Sequence, residues 1–168
     1  RPLGSSIAQT FTLINNGGVN ATGMSGLGLA APFTYTGGSY PGTSGTCGAM
    51  LTPTSTCTVS VTFTPTSIGI ASDAIQVDYN NGAANVSSTR NIQGEGVNPA
   101  VLVLSEVDPY DYGTFAVGSI NSHTYTITNT GGFPAVSITE IALAAPFQFA
   151  GSAFPGTAGT CTTILANG

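Results

Sequence analysis

Apolar and polar residues alternate with a period of two along several stretches of the chain, which is the signature of strands with one face in a core and one in water. In TFTLIN (10–15), Phe11 and Leu13 share one face, and Thr10 and Thr12 take the other. CTVSVTF (57–63) sets Cys57, Val59, Val61 and Phe63 against Thr58, Ser60 and Thr62. Further on, Ile75, Val77 and Tyr79 alternate with Gln76 and Asp78, and Tyr125 and Ile127 alternate with Thr124, Thr126 and Thr128. No window keeps apolar residues at helical spacing beyond two turns. The pattern predicts an all-β chain.

Turn residues punctuate these strands. Asn16-Gly17 and Asn81-Gly82 offer the left-handed conformations that tight hairpin turns require. The second is expected to join strands over 70–79 and 84–92. The run Gly94-Glu95-Gly96-Val97-Asn98-Pro99 breaks the alternation before VLVLS (101–105), and the domain boundary falls there. SEVDPYDYG (105–113) reads as a solvated acidic turn ahead of a strand TFAVG (114–118). Short strands with turn signals every few residues indicate a β-sandwich.

Composition narrows the function classes. The chain has 168 residues, with 23 glycines and 10 prolines, which oppose long helices. Arg1 and Arg90 are its only basic side chains against seven carboxylates, for a net charge of −5. Nucleic-acid binding needs a basic face to displace counterions from phosphates, and none is available. A polybasic membrane contact is excluded on the same ground. No apolar run approaches the length that spans a bilayer, so no membrane insertion is expected. Few charges, many Thr, Ser, Asn and Gly, and cysteines in a repeated motif point to a secreted or cell-surface protein.

The repeat is the strongest signal. GSSIAQTFTLINNGG (4–18) returns as GSINSHTYTITNTGG (118–132), and LAAPFTYTGGSYPGTSGTC (29–47) as LAAPFQFAGSAFPGTAGTC (143–161). Gly131 follows Gly17 by 114 residues, and Cys161 follows Cys47 by the same 114. Such a period suggests domains of immunoglobulin size in tandem. The expected division is a first repeat at 1–98, without its first strands, and a second at 99–168, without its C-terminal part. On that reading the chain is a fragment, or the ordered part, of a longer array.

The run PFTYTGGSYPGTSGTCGAMLTPTSTCTVSVTFTPTSIG (32–69) carries a family resemblance. With the FTLINNGG strand and turn before it and the closing Gly94 and Gly96 after it, it resembles the ASH/Hydin-like immunoglobulin-type domains of bacterial surface proteins of the "choice-of-anchor D" type. The resemblance implies a sandwich related to the PapD and major sperm protein folds, used as spacer, scaffold or adhesive module, with no catalytic residues to carry over. It also implies a disulfide between Cys47 and Cys57, a ten-residue step whose closure is worth about 3 kcal/mol on chain-entropy reasoning. Cys161 occupies the position of Cys47, and its expected partner lies just beyond Gly168, so truncation leaves it unpaired.

Candidate chemistry is sparse. Three dispersed cysteines and one histidine do not make a metal cluster, and no cofactor is expected. His123, aligned with Gln9, is assigned to the exposed face beside Thr124 as a solvated strand residue. Glu106, Asp108 and Asp111 are acidic enough to suggest calcium, but their spacing does not match the loops that bind it well. Phe33 and Phe147 are assigned to the core. Tyr40 and Phe154, immediately before Pro-Gly, are candidates to touch a neighbour or a sugar ring; the competing reading is that they plug the end of the sandwich. The leading expectation is a non-catalytic structural repeat of a fibre, sheath or long surface protein that associates with copies of itself. The alternative is an adhesive module whose loops recognise a surface glycan or protein.

Overall fold

A computed structural model describes residues 1–168, and its regular structure consists of strands alone. The chain divides into two compact units, Arg1–Val97 and Asn98–Gly168.

The first unit holds two antiparallel sheets, consistent with a β-sandwich. The three-stranded sheet has β1 (Ile7–Ile14) and β3 (Phe33–Tyr35) on either side of β5 (Thr56–Phe63). The four-stranded sheet runs β4 (Met50–Leu51), β2 (Ala21–Gly26), β6 (Gly69–Asn80), β7 (Asn85–Gly96). The alternation of β5 sends Cys57, Val59, Val61 and Phe63 inward, where they meet Phe33 and Tyr35 of β3 and, from the other sheet, Met24, Leu51, Ile75, Val77 and Ile92. Ser60 breaks the pattern: it is buried too, because its hydroxyl lies 2.9 Å from that of Thr36 and its own amide donates to the Pro41 carbonyl. A buried hydroxyl is tolerated when it has a partner.

Glycines fit β5 to its surroundings at two places, its C-terminal end and its middle. Phe63 stacks on Phe33 with ring centroids 4.9 Å apart, and a Cβ on Gly94 would lie 2.6 Å from the Phe63 ring. Gly42 has φ +91°, and a Cβ there would strike the Ser60 carbonyl. The loop after β3 therefore lies flat along β5, with Thr46 and Cys47 donating to the Thr58 carbonyl.

Asn81-Gly82 forms the hairpin between β6 and β7, with Gly82 at φ +92°. Asn16-Gly17 does not form one. β1 pairs with β5, not β2, and the chain after Ile14 crosses to the other sheet. Asn15 organises that crossing. Its Oδ1 accepts from the Gly17 amide, and its Nδ2 donates to the Val19 and Leu51 carbonyls, each at 2.9 Å. Asn and Asp followed by Gly favour turns of several kinds, so the dipeptide marks a change of direction without naming the partner strand. Asn15→Ala leaves two carbonyls without their donor and is expected to cost about 1–3 kcal/mol. Urea unfolding followed by circular dichroism measures it.

The second unit has β8 (Leu102–Leu104) paired with β9 (Ile127–Asn129), and β10 (Ala135–Val136) paired with β11 (Ile164–Leu165). Several contacts of the first unit recur here at the 114-residue spacing. Ala135 and Val136 pair with Leu165 and Ile164 as Ala21 and Thr22 pair with Leu51 and Met50. Asn129 Nδ2 donates to Phe133 and Leu165 carbonyls, as Asn15 does to Val19 and Leu51. Two expectations fail. Residues 114–118 form no strand. Phe147 is 56% exposed, whereas Phe33 is 3% exposed. Phe33 is covered by Phe63 of β5, and no residues in 99–168 repeat that strand.

Candidate functional site

Three features are candidates for a functional site: the cysteines, an aromatic cluster in the second unit, and a cleft along one side of the first.

Cys47 and Cys57 form a disulfide, and both are buried. It ties the loop that runs along β5 to the strand itself. Cys161 is free and half-buried. Disulfides persist in oxidising compartments, so the bridge favours an exported location. No helix is long and apolar enough to cross a membrane.

His123 lies on the half-buried face with Tyr125 and Ile127, not on the exposed face with Thr124. Alternation from Tyr125 puts residue 123 on the same side, so the parity was legible. Its ring stacks on Tyr110 with centroids 4.2 Å apart, and its Nδ1 is 3.1 Å from the Tyr110 hydroxyl. The other nitrogen, Nε2, is buried without a hydrogen bond and sits 3.7 Å from Glu106 Oε1. Tyr112 and Tyr125 close the cluster edge-on to Tyr110. Sequence reasoning missed these three tyrosines as a group because Tyr110 and Tyr112 belong to a segment without regular structure. The arrangement can hold a proton between Tyr110 and His123.

Tyr125 donates to the Tyr112 oxygen at 3.4 Å. That bond foremost, then burial and the neighbouring Tyr112, Tyr110 and Glu106, pushes its phenol up to about 12. A raised phenol pKa favours the neutral form in the folded chain. Its contribution is present below the ordinary value of about 10 and is lost as pH rises through the folded one. In an ultraviolet titration Tyr125 is expected to ionise well after an ordinary tyrosine, and Tyr112→Phe is expected to bring it back towards about 10.

The acidic turn contributes little beyond this cluster. Asp111 accepts from the Gly113 amide at 2.7 Å, and no group of three or more His, Cys, Asp or Glu side chains is arranged to hold a metal ion. Tyr40 lies edge-on to Tyr35 at 5.7 Å, half-buried, with its hydroxyl buried and unpaired. Burial pushes its pKa up. Phe154 stands edge-on to Phe149 at 5.6 Å, also half-buried, and its amide donates to Glu140 at 2.8 Å. Each leans on an aromatic of its own unit.

The cleft lies between β1 and β7, which are edge strands of the two sheets. One part, about 570 Å³, is lined by Phe11, Leu13, Val59, Ile75 and Val77 with Ser88, Thr89 and Arg90 on the β7 side. A second part, about 330 Å³, runs on past Phe33, Phe63 and Ile92. Phe11 and Leu13 are only half-buried, so the inward face of β1 is incompletely covered.

No protein-family model matches the chain, and no curated protein matches it.

Proposed function

We propose that the chain is a non-catalytic structural repeat of a secreted or cell-surface fibre, sheath or long surface protein, built from tandem immunoglobulin-like sandwiches of the ASH/Hydin-like type. The observation that carries this reading is the recurrence, 114 residues apart, of the same strand pairs and the same asparagine-centred crossing in both units. An array of like modules needs only that each unit repeat the frame of the last. The Cys47–Cys57 bridge supports an extracellular setting. Scarce charge weakens the repulsion that keeps proteins apart, and so supports association with copies of itself.

A second reading is an adhesive module that recognises a surface glycan or protein through loops such as those carrying Tyr40 and Phe154. Loops on a rigid sandwich suit this role. The two loops are alike in sequence, and each packs on its own unit, which favours the architectural role. Electron microscopy of the oxidised protein separates the readings. Filaments or sheets with a repeat at the domain spacing are expected; dispersed single particles that bind in a glycan screen would favour the adhesive module.

A further inference from the structure

We propose that a polar groove on the outer face of the four-stranded sheet binds an uncharged saccharide. This goes beyond the reading of the protein as a structural repeat and does not depend on self-association.

The groove is built by a bulge. β2 pairs with β6 through Thr22 opposite Asn80 and Ser25 opposite Asp78, so Gly23 and Met24 together stand against Tyr79 alone. Gly23 takes the extra place, with φ +62°. A bulge interrupts the alternation of side chains and bends the strand that carries it. Met24 still turns into the core, while Thr22 and Ser25 both come out on the face of Asn80 and Asp78. Gly23 leaves the space between them open, since a Cβ there would meet nothing within 4 Å. Its counterpart Ser137 has φ +57°, so the same conformation recurs in the second unit. β6 has a partner on each side, β2 and β7, and the groove lies over this central strand.

The lining is polar and nearly neutral. The groove measures about 530 Å³, with Thr22, Ser25, Gln76, Asp78, Asn85 and Ser87 in its walls, and Asp78 is its single charged group. Asp78 Oδ1 accepts from Ser87 Oγ at 2.7 Å and from Gln76 Nε2 at 2.8 Å. The bond from Ser87, then that from Gln76, holds the carboxyl below the usual carboxylate range. Both donors take the same oxygen, which leaves Oδ2 for a ligand. On the next rung of the β6–β7 ladder, Asn85 Oδ1 accepts from Asn80 Nδ2 at 2.9 Å, which leaves Asn85 Nδ2 to donate outward. The exposed hydroxyls of Thr22 and Ser25 face them from β2.

This set of groups selects its ligand. Each hydroxyl of a sugar both donates and accepts, so neighbouring hydroxyls match a carboxylate oxygen, an amide N–H and two hydroxyls side by side. An anionic ligand would meet Asp78 with no basic side chain in the lining to offset it. A divalent cation wants several carboxylate oxygens, and one is free here. Asp78 and Asn85 are already held by their neighbours, so little side-chain freedom is lost on binding.

The test is an array of neutral and acidic glycans probed with the 168-residue chain, then a nuclear magnetic resonance titration with the saccharide that binds best. Saturable binding to uncharged saccharides is expected, with amide shifts concentrated at 22–25, 78–80 and 85–87. Asp78→Asn keeps the shape of the side chain and removes its charge. It is expected to weaken binding about tenfold or more, the loss of one charge-assisted hydrogen bond. Gly23→Asn puts a side chain into the open space, in a residue type that tolerates the left-handed conformation, and is expected to weaken binding as well. Circular dichroism checks that both variants are folded. A chain that binds no uncharged saccharide, prefers acidic ones, or shows its shifts at the loops of Tyr40 and Phe154 instead overturns the assignment. So does binding that both folded variants leave unchanged. None of these outcomes bears on self-association, which light scattering reads separately.

Discussion

Phe63→Ala is expected to lower the stability of the first unit by about 3–5 kcal/mol, the range for removing a large buried aromatic. The ring stacks on Phe33, covers Gly94 and closes the inward face of β5. Its loss opens a cavity where both sheets contribute side chains, and the neighbouring strands are held by their ladders and cannot collapse into it. A companion substitution tests the geometry. Gly94→Ala forces a methyl group to within 2.6 Å of the Phe63 ring, and is destabilising alone. Combined with Phe63→Leu, which removes the ring, it is expected to cost less than the sum of the two single changes. Coupling of this kind is expected for residues in contact and absent for distant ones. Denaturant unfolding of the four proteins measures it. Additive costs would mean that Gly94 and Phe63 do not share the space described.

Reduction of the Cys47–Cys57 bridge is expected to cost about 3 kcal/mol, from the loop-closure entropy restored to the unfolded chain. Marginal domains hold only about 5–15 kcal/mol in all, so the transition shifts visibly. The double change Cys47→Ser/Cys57→Ser is expected to behave as the reduced protein does, with an added penalty for two buried hydroxyls. Cys161→Ser, at a half-buried free thiol, is expected to change stability by less than about 0.5 kcal/mol. Urea unfolding with and without reductant provides the comparison. Equal midpoints would show that the bridge constrains nothing that unfolding releases.

The long strands of the first unit were legible because their side chains alternate cleanly over many residues. β5, β6 and β7 follow the pattern that Val59, Val61, Ile75 and Val77 announce, and Asn81-Gly82 marks their hairpin. Of the strands of two or three residues, β9 falls partly within the alternation of Tyr125 and Ile127, whereas β3, β4, β10 and β11 were not legible, since so few positions carry no period. Asn16-Gly17 signals a change of direction, but whether a turn joins partner strands or carries the chain between sheets depends on contacts distant in sequence. Ser60 looks like a solvent-facing residue until Thr36, 24 positions away, is brought against it.

The candidate site shows the same division. Phe147 has the sequence surroundings of Phe33, yet its exposure depends on a strand that residues 99–168 do not contain. Tyr110 and Tyr112 reach His123 from a segment without periodicity, so their meeting with Tyr125 could not be read from the pattern.

The proposed structural role requires ordered association of the chain with copies of itself. The most direct measurement is the mass of the oxidised 168-residue chain in solution across a wide concentration range, by light scattering. A mass that climbs with concentration through multiples of the chain is the predicted result. A mass that stays at one chain throughout would contradict self-association and turn attention to the loops as binding surfaces.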